Sequence, residues 1–292
     1  MRSLLLSFSL LLSACPESKD EERDSGEESS EDSADAPWTG PEYEGTCPEF
    51  ESGLNTGFPS GGQERSMRIR IPDDPEGAAL LFAWHWLGGN AQEAVSYLDL
   101  KALAESEHVI IVAPESDGAS SEWHFDTRPA GNPDLALFDD VIACMHEQFD
   151  IDEDRIYSTG FSAGGMWTTY LIFYRSETLA AAAPLSGGFY SIYYETPDVP
   201  LPVALTWGGP TDVYSNYSFD VSNNNFSSDL RADGHFVIEC EHTSGHTVPS
   251  GITEYNWRFF EDHPKGVSPE PYADGLPASF PSWCKIGATE GE

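Results

Sequence analysis

Basic side chains are scarce in this chain: 14 lysines and arginines stand against 50 aspartates and glutamates in 292 residues, a formal charge of −36 at pH 7. Beyond Lys19 the only lysines are Lys101, Lys265 and Lys285. A surface so short of cations repels phosphate backbones and anionic headgroups, which excludes nucleic acid and anionic membrane surfaces as partners. Long apolar runs are missing too. The run from Leu4 to Leu12 is about half of the roughly 20 residues that a membrane-spanning helix needs. The five cysteines include no C-x-x-C pair, so zinc-ligand spacing is absent and no zinc site is expected. Nor is there an internal repeat or a second linker, which leaves no basis for a solenoid or a tandem array.

What is present begins with Arg2, the apolar run and "LSAC" ending at Cys15. A charged start, a short apolar core and small residues at its end form an export signal. "LSAC" resembles a bacterial lipobox, so residues 1–15 are read as a lipoprotein signal and Cys15 as the lipid anchor. The protein would then sit in the bacterial cell envelope or outside the cell, touching membrane only through that anchor. Residues 16–36 carry ten acidic and two basic side chains and almost no large apolar ones. Such a stretch cannot bury enough surface to offset its ordering entropy and serves as a disordered, self-repelling tether. Residues 37–292 then suit one α/β domain with a large core. Cys47, Cys144, Cys240 and Cys284 are even in number in an exported chain, which predicts two disulfides. All three pairings are open, with closure of the domain's ends through Cys47 and Cys284 preferred.

Within that domain, alternating "SMRIRIP" from Ser66 and the continuous apolar runs "AALLFAW" from Ala78 and "HVIIVAP" from His108 read as strands. A helix is expected from Ala91 along "AQEAVSYLDLKALAE". A second starts where Asn132 caps and Pro133 takes the first position. Its apolar face Leu135, Phe138, Val141, Ile142 and Met145 recurs at three- and four-residue steps. "RIYSTGF", "LAAAAPLS", "PVALTWGG" and "HFVIECE" continue the strands. Strands alternating with helices predict a mostly parallel sheet covered on both faces, whose chemistry lies beyond the carboxyl ends of the strands. The loops at His85, Ser162, Asp212 and His246 occupy those positions.

Gly160, Ser162 and Gly164 form G-x-S-x-G between a strand and a helix, the context of a nucleophile elbow. A serine hydroxyl is a weak nucleophile and needs a base to take its proton and a carboxylate to orient that base. Asp212 follows "PVALTWGG", and His246 follows "HFVIECE" in a loop with Gly245 and Pro249. Ser162, Asp212 and His246 are therefore the candidate catalytic residues. His242 is the rival base, and Asp220 and Asp233 are the rival carboxylates. The Ala163 amide, at the start of the helix, is an oxyanion donor. The second comes from "HWLGGN", with Leu87 preferred and Trp86 as the alternative, while His85 holds the loop.

"WHWLGGN", "YSTGFSAGGMW", "GGPTDVY" and "GHTVP", in that order, resemble the secreted polyhydroxybutyrate depolymerase and feruloyl esterase group of the α/β-hydrolase superfamily. The resemblance spans most of residues 66–250 and departs at Trp86, where the family usually has glycine. It implies an α/β-hydrolase fold and hydrolysis of carboxylic esters through an acyl-enzyme, with no metal or organic cofactor. Feruloyl esters, acetylated sugars and short hydroxyalkanoate polyesters are the implied substrates. Trp123, Trp167, Trp207 and Phe189 lie near the site loops and either stack on such a substrate or fill the core. Two alternatives accompany this reading: a binding lipoprotein that kept the fold without the chemistry, and a serine peptidase of the same fold.

Overall fold

A computed structural model describes residues 38–287. The signal segment 1–15 with Cys15 and the tether 16–36 lie outside the described residues. The fold belongs to the unit Thr39–Glu292. It opens with strands β1 (Gly53–Ser60), β2 (Gln63–Arg70) and β3 (Ala79–Trp84), then helices α1 (Ala91–Tyr97) and α2 (Leu100–Ser106). Strand β4 (Val109–Pro114), helix α3 (Pro133–Phe149), strand β5 (Ile156–Phe161), helix α4 (Ala163–Tyr174) and strands β6 (Ala181–Leu185) and β7 (Val203–Trp207) follow. A small ladder of β8 (Val213–Tyr214) and β9 (Tyr217–Ser218) precedes α5 (Phe219–Ala232), β10 (Val237–Glu241), α6 (Ile252–Asp262) and β11 (Cys284–Ile286).

Among the described residues the main sheet has nine strands in the order β1-β2-β4-β3-β5-β6-β7-β10-β11. Strands β4, β3, β5, β6, β7 and β10 run parallel, β2 joins β4 antiparallel, and β11 joins β10 antiparallel. This is the α/β-hydrolase fold expected from the sequence. Strands β3, β4 and β5 are buried along their whole length, as befits a sheet covered on both faces. The strand order turns back on either side of β3, so the ends of β3 and β5 flank the crevice where doubly wound sheets bind ligands.

The Asn132 cap holds as expected: its side chain accepts from the amides of Asp134 and Leu135, with Pro133 at the helix start. The long helix expected from Ala91 does not. Asp99 takes the left-handed conformation at φ 50° and divides it into α1 and α2. The break lets Ala91, Ala94 and Val95 on one side and Leu100, Leu103 and Ala104 on the other all reach the core. The cysteine pairing also differs from the preferred one: Cys47 joins Cys144, and Cys240 joins Cys284. The reason is local. Strand β11 lies on β10 with Cys284 directly opposite Cys240, an arrangement invisible until the short edge strand is placed.

Candidate active site

Ser162 sits between β5 and α4 at φ 55° and ψ −116°. A non-glycine residue there is strained by about 1–3 kcal/mol, and the surrounding packing holds it in place. A side chain at Gly164 would fall on the carbonyl of Trp84, and one at Gly160 on the backbone of Gly164. The glycines of the motif thus let α4 press against β3 and β5 so that the turn can be this sharp. Ser162 N donates to Leu185 O at 2.9 Å, which ties the elbow to β6.

The Ser162 hydroxyl lies 2.9 Å from His246 Nε2, and His246 Nδ1 lies 2.6 Å from Asp212 Oδ1. Asp212 is fully buried. Its other oxygen accepts from the Ser186 hydroxyl and from Gly208 N, each at 2.7 Å. Burial alone would raise the Asp212 pKa, but the hydrogen bonds from His246, Gly208 and Ser186, with the charge of His246, outweigh it and hold the carboxyl below its ordinary value. An ionised Asp212 accepts from Nδ1, so Nδ1 carries the proton and Nε2 presents its lone pair to Ser162. The imidazole is clamped by rings: Phe219 stacks on it at 4.5 Å and Phe161 lies at 4.8 Å. The histidine loop is anchored by close approach, since a side chain at Gly208 would collide with the carbonyl of Gly245. Gly245 N donates to Gly208 O at 3.2 Å.

The rivals take other roles. Asp220 accepts from Trp207 Nε1 at 3.0 Å, Asp233 accepts from the Tyr194 hydroxyl at 2.9 Å, and the buried His242 accepts from Ser244 N at 3.2 Å. His85 holds its loop as expected: Nε2 accepts from Ser116 N at 3.2 Å, and Nδ1 lies 3.0 Å from Trp86 O. Further along that loop Gly88 N donates to Glu122 Oε1 at 2.8 Å. Ala163 opens α4, where amides have no partner within the helix. Leu87 and Trp86 follow His85 at the end of β3, in the crevice that also receives β5.

The stacking role does not fit the four aromatic candidates, because their faces are already covered. Trp123 and Trp167 have 0% exposure and pack edge-on against Trp84, and Trp123 Nε1 donates to His85 O at 2.9 Å. Trp207 is 1% exposed, and Phe189 is wedged between Phe125 and Phe173. They brace the site from beneath. Sequence reasoning missed Ser186 and Phe219. Ser186 does follow a strand in "LSGG", but its contact with Asp212 arises only when β6 and β7 are neighbours.

Among the described residues, Asp117, His124 and Asp134 lie close enough together to hold a cation by spacing alone. Their donors are already occupied. Asp134 Oδ1 accepts from buried Arg65 at 2.7 Å, and Oδ2 accepts from His124 N at 2.9 Å with His124 Nδ1 also at 2.9 Å.

Comparison with known proteins places this geometry in context. A family profile described as the prolyl oligopeptidase family matches residues 96–236, a span that includes Ser162 and Asp212 and stops short of His246. The oxidized polyvinyl alcohol hydrolase of Sphingopyxis sp. strain 113P3 is 26% identical over 84% of this chain and 88% of its own length. Feruloyl esterase D of Neurospora crassa is 28% identical over 49% of this chain, which spans about half of that enzyme, 52%. Among solved structures, native sOPH superposes with a TM-score of 0.66 at 22% identity, covering 86% of this chain and 98% of the other. That likeness shows the shared fold.

Proposed function

We propose that this chain, a member of the α/β-hydrolase superfamily similar to ester hydrolases, is an exported serine esterase that cleaves carboxylic esters through an acyl-enzyme. The observation that carries the reading is the unbroken line from buried Asp212 through His246 to the hydroxyl of Ser162 at a strained strand-to-helix turn. Ser162 Oγ attacks the ester carbonyl carbon while Nε2 of His246 takes its proton, and Asp212 holds the resulting imidazolium. The carbonyl oxygen gains negative charge, which in this reading the amides of Ala163 and Leu87, with Trp86 N–H as the alternative to Leu87, stabilise. Collapse of the tetrahedral species breaks the bond to the alcohol, which leaves with the proton from His246. A water then attacks the acyl-serine and gives a proton to the same nitrogen; the bond to Ser162 Oγ breaks, Oγ takes that proton back, and the acid is released.

Feruloyl esters, acetylated sugars and short hydroxyalkanoate polyesters are the substrate classes proposed. Export and attachment through Cys15 are supported by residues 1–15 as read from the sequence, and the two disulfides fit an oxidising compartment. The prolyl oligopeptidase match favours one second reading, a peptidase using the same three residues. A panel of p-nitrophenyl esters, methyl ferulate, hydroxybutyrate oligomers and a prolyl p-nitroanilide separates the two. Turnover of esters with none of the anilide supports the esterase. Failure of a fluorophosphonate to label Ser162 would sink both readings and leave a binding protein with a hydrolase fold.

A further inference from the structure

We propose that Glu122 is a positioning residue for the oxyanion site: its carboxylate fixes the turn that carries the Trp86 and Leu87 amides. The inference rests on the esterase reading and adds to it a residue outside the three that react. The turn is closed by Gly89 N, which donates to Trp86 O at 2.9 Å, and Gly88 holds its third position at φ 74°, as a type II turn requires. Type I is the close competitor and differs by a flip of the central peptide. Glycine tolerates either sign of φ, so Gly88 cannot choose between them by itself. The central peptide joins Leu87 to Gly88, and its N–H is the one that donates to Glu122 Oε1 at 2.8 Å. The carboxylate therefore makes the choice. Trp86 O also lies 3.0 Å from His85 Nδ1, and in a trans peptide the N–H points opposite to the C=O. With the carbonyl of one peptide and the amide of the next both held, the aim of the Leu87 N–H between them is set before substrate arrives.

The carboxylate is itself held. Its other oxygen accepts from the Ser116 hydroxyl at 2.6 Å. The segment around it is tied back to the same loop, since Ser116 N donates to His85 Nε2 at 3.2 Å and Trp123 Nε1, on a fully buried ring, donates to His85 O at 2.9 Å. Glu122 takes φ 67°, a region that costs a non-glycine residue free energy and persists only where the surroundings enforce it. A bridge between Ala119 and Glu122, with Glu122 N donating to Ala119 O at 2.9 Å, does so here. The strained backbone keeps the half-buried side chain against Gly88 instead of in water. A bare carboxylate this near a developing oxyanion would oppose catalysis. Two donors, at 2.8 and 2.6 Å, absorb its charge, and the amide it occupies is that of Gly88. The amides of Trp86 and Leu87 have no acceptor among the described residues.

Purified full-length protein, counted by saturating fluorophosphonate labelling of Ser162, should be assayed on p-nitrophenyl acetate, with a trifluoromethyl ketone as the probe of the oxyanion site. Ser162 Oγ adds to the ketone carbon, its proton passes to His246, and the former carbonyl oxygen becomes the oxyanion. Glu122→Ala should lower kcat per labelled site about tenfold or more and weaken ketone inhibition by a similar factor, with KM within about twofold of wild type. Glu122→Gln keeps an acceptor at the same reach and should stay within about threefold of wild type in both readouts. Glu122→Asp keeps the charge but is one methylene shorter, so it should lose as much as the alanine variant. The glutamine and aspartate variants decide the matter even if Glu122→Ala folds poorly. Unchanged kcat in Glu122→Asp, a loss confined to KM, or a loss of kcat with ketone inhibition intact would each overturn the proposal. So would the reverse order, with Glu122→Asp active and Glu122→Gln impaired, because the negative charge and not the fixed turn would then matter. If wild-type Ser162 resists labelling, the esterase reading itself fails, and that result is distinct from all of these.

Discussion

Asp212 and Asp134 are both fully buried carboxylates with a histidine Nδ1 within hydrogen-bond distance, 2.6 Å from His246 and 2.9 Å from His124. What lies beyond the histidine separates them. Past His246 stands the hydroxyl of Ser162 on strained backbone; past His124 stands a second carboxylate, Asp117, at 3.6 Å. Asp134 also meets the buried guanidinium of Arg65, while among the described residues Asp212 has no cation beside it except the imidazolium that would form during turnover. One cluster closes its charges on itself and ties β2 to the start of α3. The other leaves a neutral acceptor facing a nucleophile. A buried carboxylate–histidine contact is thus a structural clasp until an unsatisfied reaction partner is placed at its open end.

The difference should be largest in activity. Ser162→Ala and His246→Ala should each lower kcat by roughly 10³-fold or more, and the double variant should be little worse than either, because the residues act as one unit. Steady-state kinetics on a p-nitrophenyl ester tests this, and near-full activity in Ser162→Ala would return the motif to being a turn. Asp212→Asn should give a smaller but still large loss in kcat with the fold retained. Asp134→Asn should do the reverse. It strands the buried charge of Arg65, at a cost of about 3–5 kcal/mol in denaturant-measured stability, with kcat in surviving protein close to wild type. If Asp134→Asn abolished activity without lowering stability, the two clusters would have to exchange roles.

How much of this was legible in the chain differs by element. The buried strands β3, β4 and β5 announce themselves as continuous apolar runs, and the elbow as glycines flanking a serine at their end. Strand β1 did not, because its edge position leaves it half exposed and its sequence, "GLNTGFPS", carries glycine and proline. Helix α5 reads "FDVSNNNFSSDLRA", so its apolar face is thin; β11 has only three residues. That Ser162, Asp212 and His246 would meet was legible because a serine, a carboxylate and a histidine in this chain order mark the expected arrangement. Ser186 and Phe219 were not, since any serine or phenylalanine could have filled a core. The four aromatic candidates failed for the converse reason: proximity in sequence to a site loop says nothing about which side of the loop a ring faces.

The disulfides offer a test of intermediate size. Non-reducing peptide mapping should recover Cys47 linked to Cys144 and Cys240 linked to Cys284, and a Cys47–Cys284 peptide would refute this arrangement. Replacing either pair by alanine should cost about 2–4 kcal/mol, more for the longer loop closed by Cys47 and Cys144. Cys240–Cys284 secures β11 beside the strand that leads into the His246 loop, so its loss should also weaken activity more than the other.

The smallest effect concerns the rival histidine. Burial lowers the pKa of His242, opposed by the charge of Asp212 and the carbonyl of Thr247, and burial likewise lowers that of His235. In the unfolded chain both should titrate near ~6.5. Below that value the unfolded state binds protons that the folded state refuses, so stability rises with pH and declines as pH falls from ~6.5 toward the lower folded values. Asp212, held below its ordinary value, adds a separate loss at lower pH: its stabilisation is complete above ~3.9 and disappears as pH falls through the folded value. Between pH 7.5 and 5.5 the melting temperature should therefore drop through His242 and His235, while Glu261 and Asp140, whose burial raises their pKa values, act in the opposite direction. His242→Asn keeps an acceptor for Ser244 N, so it should spare most esterase activity while flattening the drop. If activity collapsed with His246 intact, His242 would belong to the reacting unit after all. If the variant melted with an unchanged pH slope, the acid sensitivity would have to be assigned to His235 or to other titrating groups.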